Sequence, residues 1–517
     1  MAMMPVSEKG SSEAQIAELE KLVQEIEQQR VVLGDVVAEP AIARLQAQIT
    51  ALKAKAIGDL ESAYLRHIVE SSSSLRLSSI DPKVADPTRS GLNLTAIYVP
   101  LYTMLHLASR EGILRAVPFR QPVDDLVHMS AIGALARHPR LVLLGDPGSG
   151  KSTFVNYVTT CLANARLQGN GEWLARLNDW PHGALLPVLV RARDLARTFE
   201  VGKAPGTARA LLSHIEQELA YWNLTDYLPD LQKTLHESGA LLLLDGLDEV
   251  PAVEQFREQI RRIVEDFAVT FPRCRILVTC RTYAYERQIQ GFVSANLQPF
   301  GQEQITRFVE SWYAEIAASQ GLRRDDAQGK AELLKQAIFR SVQLEELARN
   351  PMLLTLMASL HTWRGMLPEE RGELYADAVD LLLDRWESPK IARDSTGLSV
   401  AVQPSLAEWL KVDRYAVRAA LGQLAFEAHR DQYQLAGTAD IAEDELISHL
   451  MSAARNPDVN PVRLVEYLRD RTGLLVQKGA EVYTFPHRTF QEYLAAGYVI
   501  DQDYPDFLVN LVRSDPD

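Results

Sequence analysis

The eight residues GDPGSGKS, from Gly145 to Ser152, constrain the fold of this chain more than any other stretch. They follow the apolar run LVLL and precede TFVNYVTTCLANA, whose composition is compatible with a helix. Glycines let the backbone turn so that successive N–H groups face a phosphate, and the following helix adds its positive end. A strand, this loop and a helix form the context in which GxxxxGK[ST] binds phosphate. The sequence therefore predicts a phosphate loop over these residues.

The phosphate loop predicts two cofactors, a nucleotide (ATP or ADP) and Mg²⁺. Lys151 is expected to reach the β and γ phosphates, and the Ser152 hydroxyl to bind the metal ion. The other nucleotide-binding residues predicted here are Gly145, Asp146, Pro147, Gly148, Ser149, Gly150 and Thr153.

Three acids follow a second apolar run, in LLLLDGLDEV from Leu241 to Val250. Asp245 comes where the strand would leave the sheet, so it is the second predicted Mg²⁺ ligand. Asp248 and Glu249 are predicted to face the same crevice, where one or both would orient or deprotonate the attacking water. Solvated loop acids are the alternative interpretation.

A third run, RILVTCRT, ends on Arg281. An arginine at the carboxyl end of a neighbouring strand can distinguish ATP from ADP or neutralise charge in the transition state. Arg281 is therefore the third catalytic candidate, after Asp248 and Glu249, and a structural ion pair is its alternative role.

The arrangement of apolar runs predicts an α/β fold. Short runs at 141–145, 186–192, 240–245 and 275–280 alternate with helical segments, as in a parallel sheet buried on both faces.

After residue 300 amphipathic helices follow, and LLVQKGAEVYTF predicts a hairpin that turns at Lys478 and Gly479, so a winged helix is expected. Before the sheet, residues 13–57 predict two helices separated by Gly34 and Pro40, residues 58–70 a third helix, and residues 71–91 a linker. The two N-terminal helices form either an oligomerisation device or a hairpin packed on its own neighbour.

Composition narrows the classes of function. The 517 residues carry a net charge of −14, which disfavours general binding to nucleic acid or to anionic membranes. The three cysteines, Cys161, Cys274 and Cys280, are odd in number and show no CxxC spacing. This pattern favours a protein of a reducing compartment and argues against a disulfide framework or a zinc site. Without a secretory signal or an apolar run of membrane-spanning length, a cytoplasmic protein is expected.

The order of these motifs resembles the NACHT group of STAND ATPases. GDPGSGKST, LLLLDGLDE with its doubled acid and ILVTCRT carry the resemblance, and three further stretches extend it over residues 92–500. LARNPMLLTLMA implies that Pro351 packs near the adenine. FPHRTFQEYLAA implies that His487 contacts the β phosphate of ADP. IYVPL implies that Tyr98 or Val99 lines the base.

The resemblance also implies a domain order and a working cycle. ADP holds the domains closed, an unidentified trigger ligand opens them, ATP enters, and the protomers assemble. The function expected is a signalling switch that hydrolyses ATP slowly and acts in bacterial defence or signal transduction. The sensor array that follows the winged helix in the family is expected to be truncated in this chain. The domains expected are an N-terminal helical region (1–70), a linker (71–91), the nucleotide-binding core (92–300), a helical domain (301–395), a winged helix (396–500) and the start of a helical region (501–517).

Two other functions compete with the switch. A nucleotide-locked scaffold would hydrolyse negligibly, although the intact Lys151 and three acids favour some hydrolysis. A regulator could instead bind DNA through its winged helix, near Arg463, Arg469 and Arg471, but the acids among these arginines and the acidic chain disfavour that use.

Overall fold

The computed structural model describes most of the chain. The linker residues 74–91 and the basic positions Arg463, Arg469 and Arg471 lie outside the described residues. The described residues are 9–28, 35–73, 92–106, 126–169, 171–198, 206–250, 254–285, 288–321, 323–368, 370–387, 390–393, 399–403, 406–431, 439–461, 464, 475–479, 482–485, 488–502, 504–507, 509 and 513.

The N-terminal part consists of two long helices, α1 (Lys9–Gln28) and α2 (Asp35–Ser72). They pack against each other through the three-four pattern of apolar positions, as the sequence predicts for a helical hairpin. Apolar side chains that are buried or half-buried in these two helices include Leu19, Val23, Ile26, Ile42, Leu45 and Ile49.

Helix α2 corrects the prediction of a separate helix over residues 58–70. It is continuous for 38 residues, so Pro40 lies inside its second turn and Ser71 and Ser72 still belong to it. A proline at this position removes one backbone hydrogen bond of the helix, because only the first four amides lack a partner within it. The periodic pattern continues through Gly58, which a helix tolerates at a cost of about 1 kcal/mol.

The last turns of α2 are fixed to the rest of the molecule. The Tyr64 hydroxyl donates to the Pro187 carbonyl at 3.0 Å, and the Ser72 and Thr160 hydroxyls lie 2.9 Å apart. The His67 ring stacks on Trp222 with 5.5 Å between centroids. Since Tyr64 and Ser72 are buried, this end of α2 is part of the core.

A seven-stranded sheet forms the centre of the molecule, in the order β2-β1-β7-β3-β6-β5-β4. Strands β3 to β7 are parallel to their neighbours in this group, and β1 and β2 extend the sheet in antiparallel fashion. The strands are β1 (Tyr102–His106), β2 (Leu126–Ser130), β3 (Arg140–Leu144), β4 (Leu186–Arg191), β5 (Ala240–Asp245), β6 (Arg275–Cys280) and β7 (Val293–Leu297).

Alternate residues of the central strands supply two separate cores. On one face Leu141, Leu241 and Leu277 pack in one cluster, and on the other face their neighbours Val142 and Leu242 pack in a second. Strands covered on both faces carry continuous apolar runs because both sets of side chains are buried. The helices that cover the sheet or connect its strands are α3 (Leu94–Ile97), α4 (Ala131–Arg137), α5 (Lys151–Gln168), α6 (Glu172–Ala175), α7 (Ala192–Arg197), α8 (Ala208–Tyr221), α9 (Leu228–Glu237) and α10 (Glu254–Thr270).

The α/β prediction is confirmed, since the four predicted runs are β3, β4, β5 and β6. Three strands were not predicted, β1, β2 and β7. Their sequences YTMLH, LVHMS and VSANL mix polar with apolar residues. Strands β1 and β2 form the antiparallel end of the sheet, where a strand need not be apolar on both faces.

Helices follow the sheet, as the sequence predicts. They pack around the buried side chains of Trp312, Tyr313 and Leu354. These helices are α11 (Gln302–Gln320), α12 (Arg324–Arg340), α13 (Val342–Ala348), α14 (Pro351–Arg364) and α15 (Arg371–Glu387).

The C-terminal part combines helices with a three-stranded antiparallel sheet in the order β10-β12-β11, which is compatible with the predicted winged helix. Helices α17 and α19 pack against each other, and Leu421 and Leu494 are buried between the elements of this part. Its elements are β8 (Lys390–Arg393), β9 (Ser399–Gln403), α16 (Leu406–Leu410), α17 (Arg414–Arg430), β10 (Ile441–Ala442), α18 (Glu443–Ala453), β11 (Val476–Gly479), β12 (Val482–Thr484) and α19 (Arg488–Asp501).

Two details of this part differ from the sequence predictions. Lys478 and Gly479 belong to strand β11 rather than to the turn, and Gly479 lies opposite Val482. The pair β8 and β9 was not predicted. Within the described part of the chain, no helix is both long and apolar enough to cross a membrane.

Candidate nucleotide site

The phosphate loop joins strand β3 to helix α5, as its sequence predicts. Gly148 and Gly150 adopt φ angles of +76° and +92°, which side chains rarely tolerate. Gly150 caps helix α5 without a side-chain hydrogen bond, and Ser152 lies exposed in the first turn of that helix. The start of α5 therefore offers backbone amides, the positive end of a helix and a hydroxyl at one place.

The Lys151 ammonium lies over the loop that precedes it. Its Nζ donates to the Gly145 carbonyl at 2.7 Å and to the Asp146 carbonyl at 3.1 Å. Burial lowers the pKa of Lys151, while the negative charges of Asp248 and Asp245 act in the opposite direction. The cation is therefore held between the phosphate loop and the acids that follow β5.

Asp245 ends strand β5 at the same sheet edge as the phosphate loop. Strand β6 lies between β3 and β5, and its Thr279 hydroxyl donates to Asp245 Oδ1 at 2.6 Å. The same hydroxyl accepts the Gly246 amide at 2.8 Å. Thr279 therefore fixes the direction of the Asp245 carboxylate, a role that the sequence interpretation did not assign.

Asp248 and Arg281 form a buried ion pair. Arg281 Nε lies 2.8 Å from Asp248 Oδ2, and the Arg281 amide donates to Asp248 Oδ1 at 3.0 Å. The two side chains are 14% and 5% exposed. Asp248 thus binds both the side chain and the backbone of the arginine, and sets where Arg281 lies at the carboxyl end of β6.

Glu249 has different surroundings from Asp248. Its side chain is 34% exposed, and its Oε2 lies 3.7 Å from Arg193 Nη1. Burial raises the pKa of Glu249 to about 7, and the charges of Asp245 and Asp248 raise it further, while Arg193 opposes them. A carboxylate with a pKa near neutrality is suited to accept a proton from water.

Sequence reasoning did not identify Arg193. It lies in α7, directly after β4. The four neighbouring parallel strands β3, β6, β5 and β4 therefore all lead to polar groups at one edge of the sheet. The available signal was its position after an apolar strand in LPVLVRARDL, but charged residues commonly follow strands.

Two apolar side chains approach the end of the phosphate loop from outside the sheet. A Cβ built on Gly150 would lie 3.5 Å from Leu101 Cδ1 and 3.9 Å from Pro351 Cγ. Pro351 is the first residue of α14, and Leu101 precedes β1. Pro351 is therefore close to the loop, together with Leu101, which was not among the predicted site residues.

Tyr98 and Val99 lie beside α5. The Tyr98 ring stacks on Tyr157 of α5 with 3.6 Å between centroids, and burial raises the pKa of Tyr98 well above its usual range. Val99 is 4% exposed. Tyr98 thus contacts the phosphate-loop helix more than one turn beyond its start, and Val99 follows it toward Leu101.

His487 lies outside the described residues, between β12 and α19. Cys161, Cys274 and Cys280 are free and buried, and burial raises the pKa of the Cys280 thiol to about 12. Across the described ranges, no group of three or more His, Cys, Asp or Glu side chains is arranged to hold a metal. A cation at this edge would depend on nucleotide oxygens together with the Ser152 hydroxyl and the Asp245 carboxylate, all hard donors of the kind Mg²⁺ prefers.

Comparison with known proteins gives two family matches. Residues 196–315 match the NACHT domain, and residues 371–499 match the winged helix-turn-helix domain C-terminal to NACHT. The first match begins after the phosphate loop and includes the acids that follow β5.

Two individual proteins are also similar. An uncharacterized WD repeat-containing protein of Nostoc sp. is 26% identical over 260 residues, which are 47% of this chain, and the chain spans 15% of that protein's length. The ORC1 protein of Aeropyrum pernix, solved in complex with DNA, is 15% identical, with coverage of 72% of this chain and 88% of that one. The TM-score of 0.25 is too low to define a shared domain arrangement.

The NACHT domain and the winged helix-turn-helix domain follow each other along one chain, as the names of the two matched families require. The NACHT match includes strands β5, β6 and β7 with the acids that follow β5. The second match coincides with the C-terminal helices and strands of the structure. The resemblance predicted from the motifs is confirmed, since these two matches support a NACHT-type NTPase.

Proposed function

We propose that the protein is an ATP-binding, slowly hydrolysing STAND signalling switch. It is closed with ADP, opens and self-associates with ATP, and acts in bacterial defence or signal transduction. The observation that carries the proposal is the meeting of the phosphate loop, Asp245 and the Asp248–Arg281 pair at one sheet edge. A switch needs groups that contact one nucleotide state more than the other, and this edge offers them.

The proposed binding mode gives each residue a task. The amides of the phosphate loop and the Lys151 ammonium bind the β and γ phosphates, while Pro351 and the segment from Tyr98 to Leu101 enclose the base. Mg²⁺, held by Ser152 and Asp245, would neutralise phosphate charge. Glu249 accepts the proton of the attacking water, and Arg281 faces the γ phosphate from the position that Asp248 sets.

Nucleotide state would then determine domain arrangement. ADP is held by the sheet, by α14 and by His487 of the winged helix. Because ADP contacts all three parts, its binding closes the molecule. ATP adds a γ phosphate that Arg281 recognises and that favours the open, oligomeric form. A trigger ligand acts by favouring this opening, since a ligand shifts an equilibrium only through different affinities for two states.

The experiment that tests this function identifies the nucleotide that the purified chain releases on denaturation. We expect about one ADP per chain, because a closed switch retains its product. Released ATP would contradict the closed state. A chain that neither releases nor takes up nucleotide would exclude a nucleotide switch, whereas bound nucleotide without any turnover would favour a scaffold.

A double-mutant cycle tests whether Asp248 and Arg281 act as a unit. Asp248→Asn removes the negative charge beside the buried Arg281, so the free energy of unfolding is expected to fall by about 3 kcal/mol. Arg281→Gln should have a similar effect, and combining the two should cost less than the sum of the single changes. Thermal unfolding without nucleotide measures all four proteins, and additive losses would show that the pair is not coupled.

A further inference from the structure

The first turn of α14 rests directly on the phosphate loop. Asn350 caps this helix, since its Oδ1 accepts the amides of Met352 at 3.0 Å and Leu353 at 3.3 Å. Capping satisfies helix amides that have no partner within the helix, and an asparagine commonly does this. The cap alone would explain why a polar residue precedes Pro351.

Asn350 also makes a contact that capping does not require. Its Nδ2 donates to the Pro147 carbonyl at 3.0 Å, 203 residues earlier in the chain. The Met352 amide donates to the next carbonyl of the loop, that of Gly148, at 3.2 Å. Two successive carbonyls of the phosphate loop are therefore bound by the helical part of the molecule.

Binding a carbonyl also orients the amide that follows it. The peptide unit is planar and trans, so its N–H points away from its C=O. When Asn350 holds the Pro147 carbonyl, the direction of the Gly148 amide is fixed. The loop binds phosphate through such amides, so its shape depends on a side chain outside the sheet.

The contact between these two segments is too close for a side chain at position 148. A Cβ built on Gly148 would lie 2.7 Å from Asn350 Oδ1 and 2.9 Å from Met352 Cβ. Gly148 also has a φ of +76°. The glycine therefore permits both the turn of the loop and the approach of α14.

We propose that Asn350 is a positioning residue for the phosphate loop. It couples the place of α14 to the direction of the loop amides, so that displacement of α14 speeds release of the bound nucleotide. The inference rests on the proposed nucleotide function. The contact of Asn350 with the loop backbone is separate from any packing of Pro351 on the base.

Asn350→Ser separates this role from capping. Serine is an equally good helix cap, but its short side chain cannot donate to Pro147 while it accepts the helix amides. We expect ADP to leave about fivefold faster, the effect of losing one neutral hydrogen bond. The thermal midpoint without nucleotide should fall only slightly, because the same single hydrogen bond is lost from the folded chain. Stopped-flow release of a fluorescent ADP analogue from the full chain measures the rate.

Ser341→Ala is the matched control. Ser341 caps the neighbouring helix α13, where its hydroxyl accepts the Leu344 amide at 3.3 Å. Removing this cap should lower the midpoint by a similar small amount and leave ADP release unchanged, whereas Asn350→Ser should speed ADP release.

Two results are decisive in different ways. If Asn350→Ser releases ADP at the parent rate, the positioning role is wrong while nucleotide binding stands. If the parent chain itself binds no ADP, the proposed function fails before Asn350 is tested.

Discussion

Replacing Lys151 with alanine should abolish nucleotide retention. The Lys151 ammonium lies between the phosphate loop and the acids after β5, where it would bind the β and γ phosphates. Each charge-assisted hydrogen bond contributes about 1.5–3 kcal/mol, so losing two weakens binding roughly a hundredfold or more. Calorimetric titration with ATP and with ADP, together with analysis of nucleotide that copurifies, measures the loss.

Lys335→Ala is a suitable control for the loss of one lysine. Lys335 lies on α12 and pairs with Glu310 and Glu332, so its removal changes the net charge equally without touching the loop. Nucleotide affinity should then remain that of the parent. Stoichiometric ADP in the Lys151→Ala protein would show that the phosphate loop is not the binding site.

Replacing Glu249 with glutamine should leave ATP binding near the parent value and reduce turnover by a factor of about 10² to 10⁴, the range expected when a general base is lost. Glutamine keeps the size of the side chain but cannot accept the proton of the attacking water. Its half-exposed position beside Arg193, and its pKa of about 7, make Glu249 a better base than the buried, paired Asp248. Phosphate release under single-turnover conditions separates turnover from binding.

The control for this change is Glu258→Gln on helix α10. Glu258 accepts from Arg261 and Arg262 and is not part of the proposed site, so turnover should not change. A Glu249→Gln protein that hydrolyses ATP at the parent rate would transfer the base role to another group. Asp248, in its pair with Arg281, would then be the next candidate for the base.

The groups that could be predicted from the sequence are those determined by local order. GDPGSGKS is preceded by an apolar run and followed by a helical pattern, and Asp245 ends a short apolar run that is typical of a buried strand. The carboxyl ends of parallel strands meet at one sheet edge, so it was reasonable to expect the loop and the acids to be neighbours.

The unpredicted groups depend on contacts between distant segments. Thr279 binds Asp245 because β6 lies beside β5, and Arg193 meets Glu249 because β4 lies on the other side. Asn350 reaches Pro147 across 203 residues. Nothing in the composition of any of these segments specifies its partner, since ordinary polar residues at strand and helix ends have many possible roles.

The continuous helix α2 has a geometrical consequence. Its 38 residues span about 57 Å at 1.5 Å per residue, and the end that holds Tyr64 and Ser72 is fixed to the core. Ser72 contacts Thr160 on α5, the helix that begins at Lys151. The part of α2 before Tyr64 is about 44 Å long, so a tilt of about 5° at the fixed end would move its first turn by about 4 Å. Because the fixed end of α2 contacts the phosphate-loop helix, a small rotation there would become a displacement of several ångströms at the other end of α2.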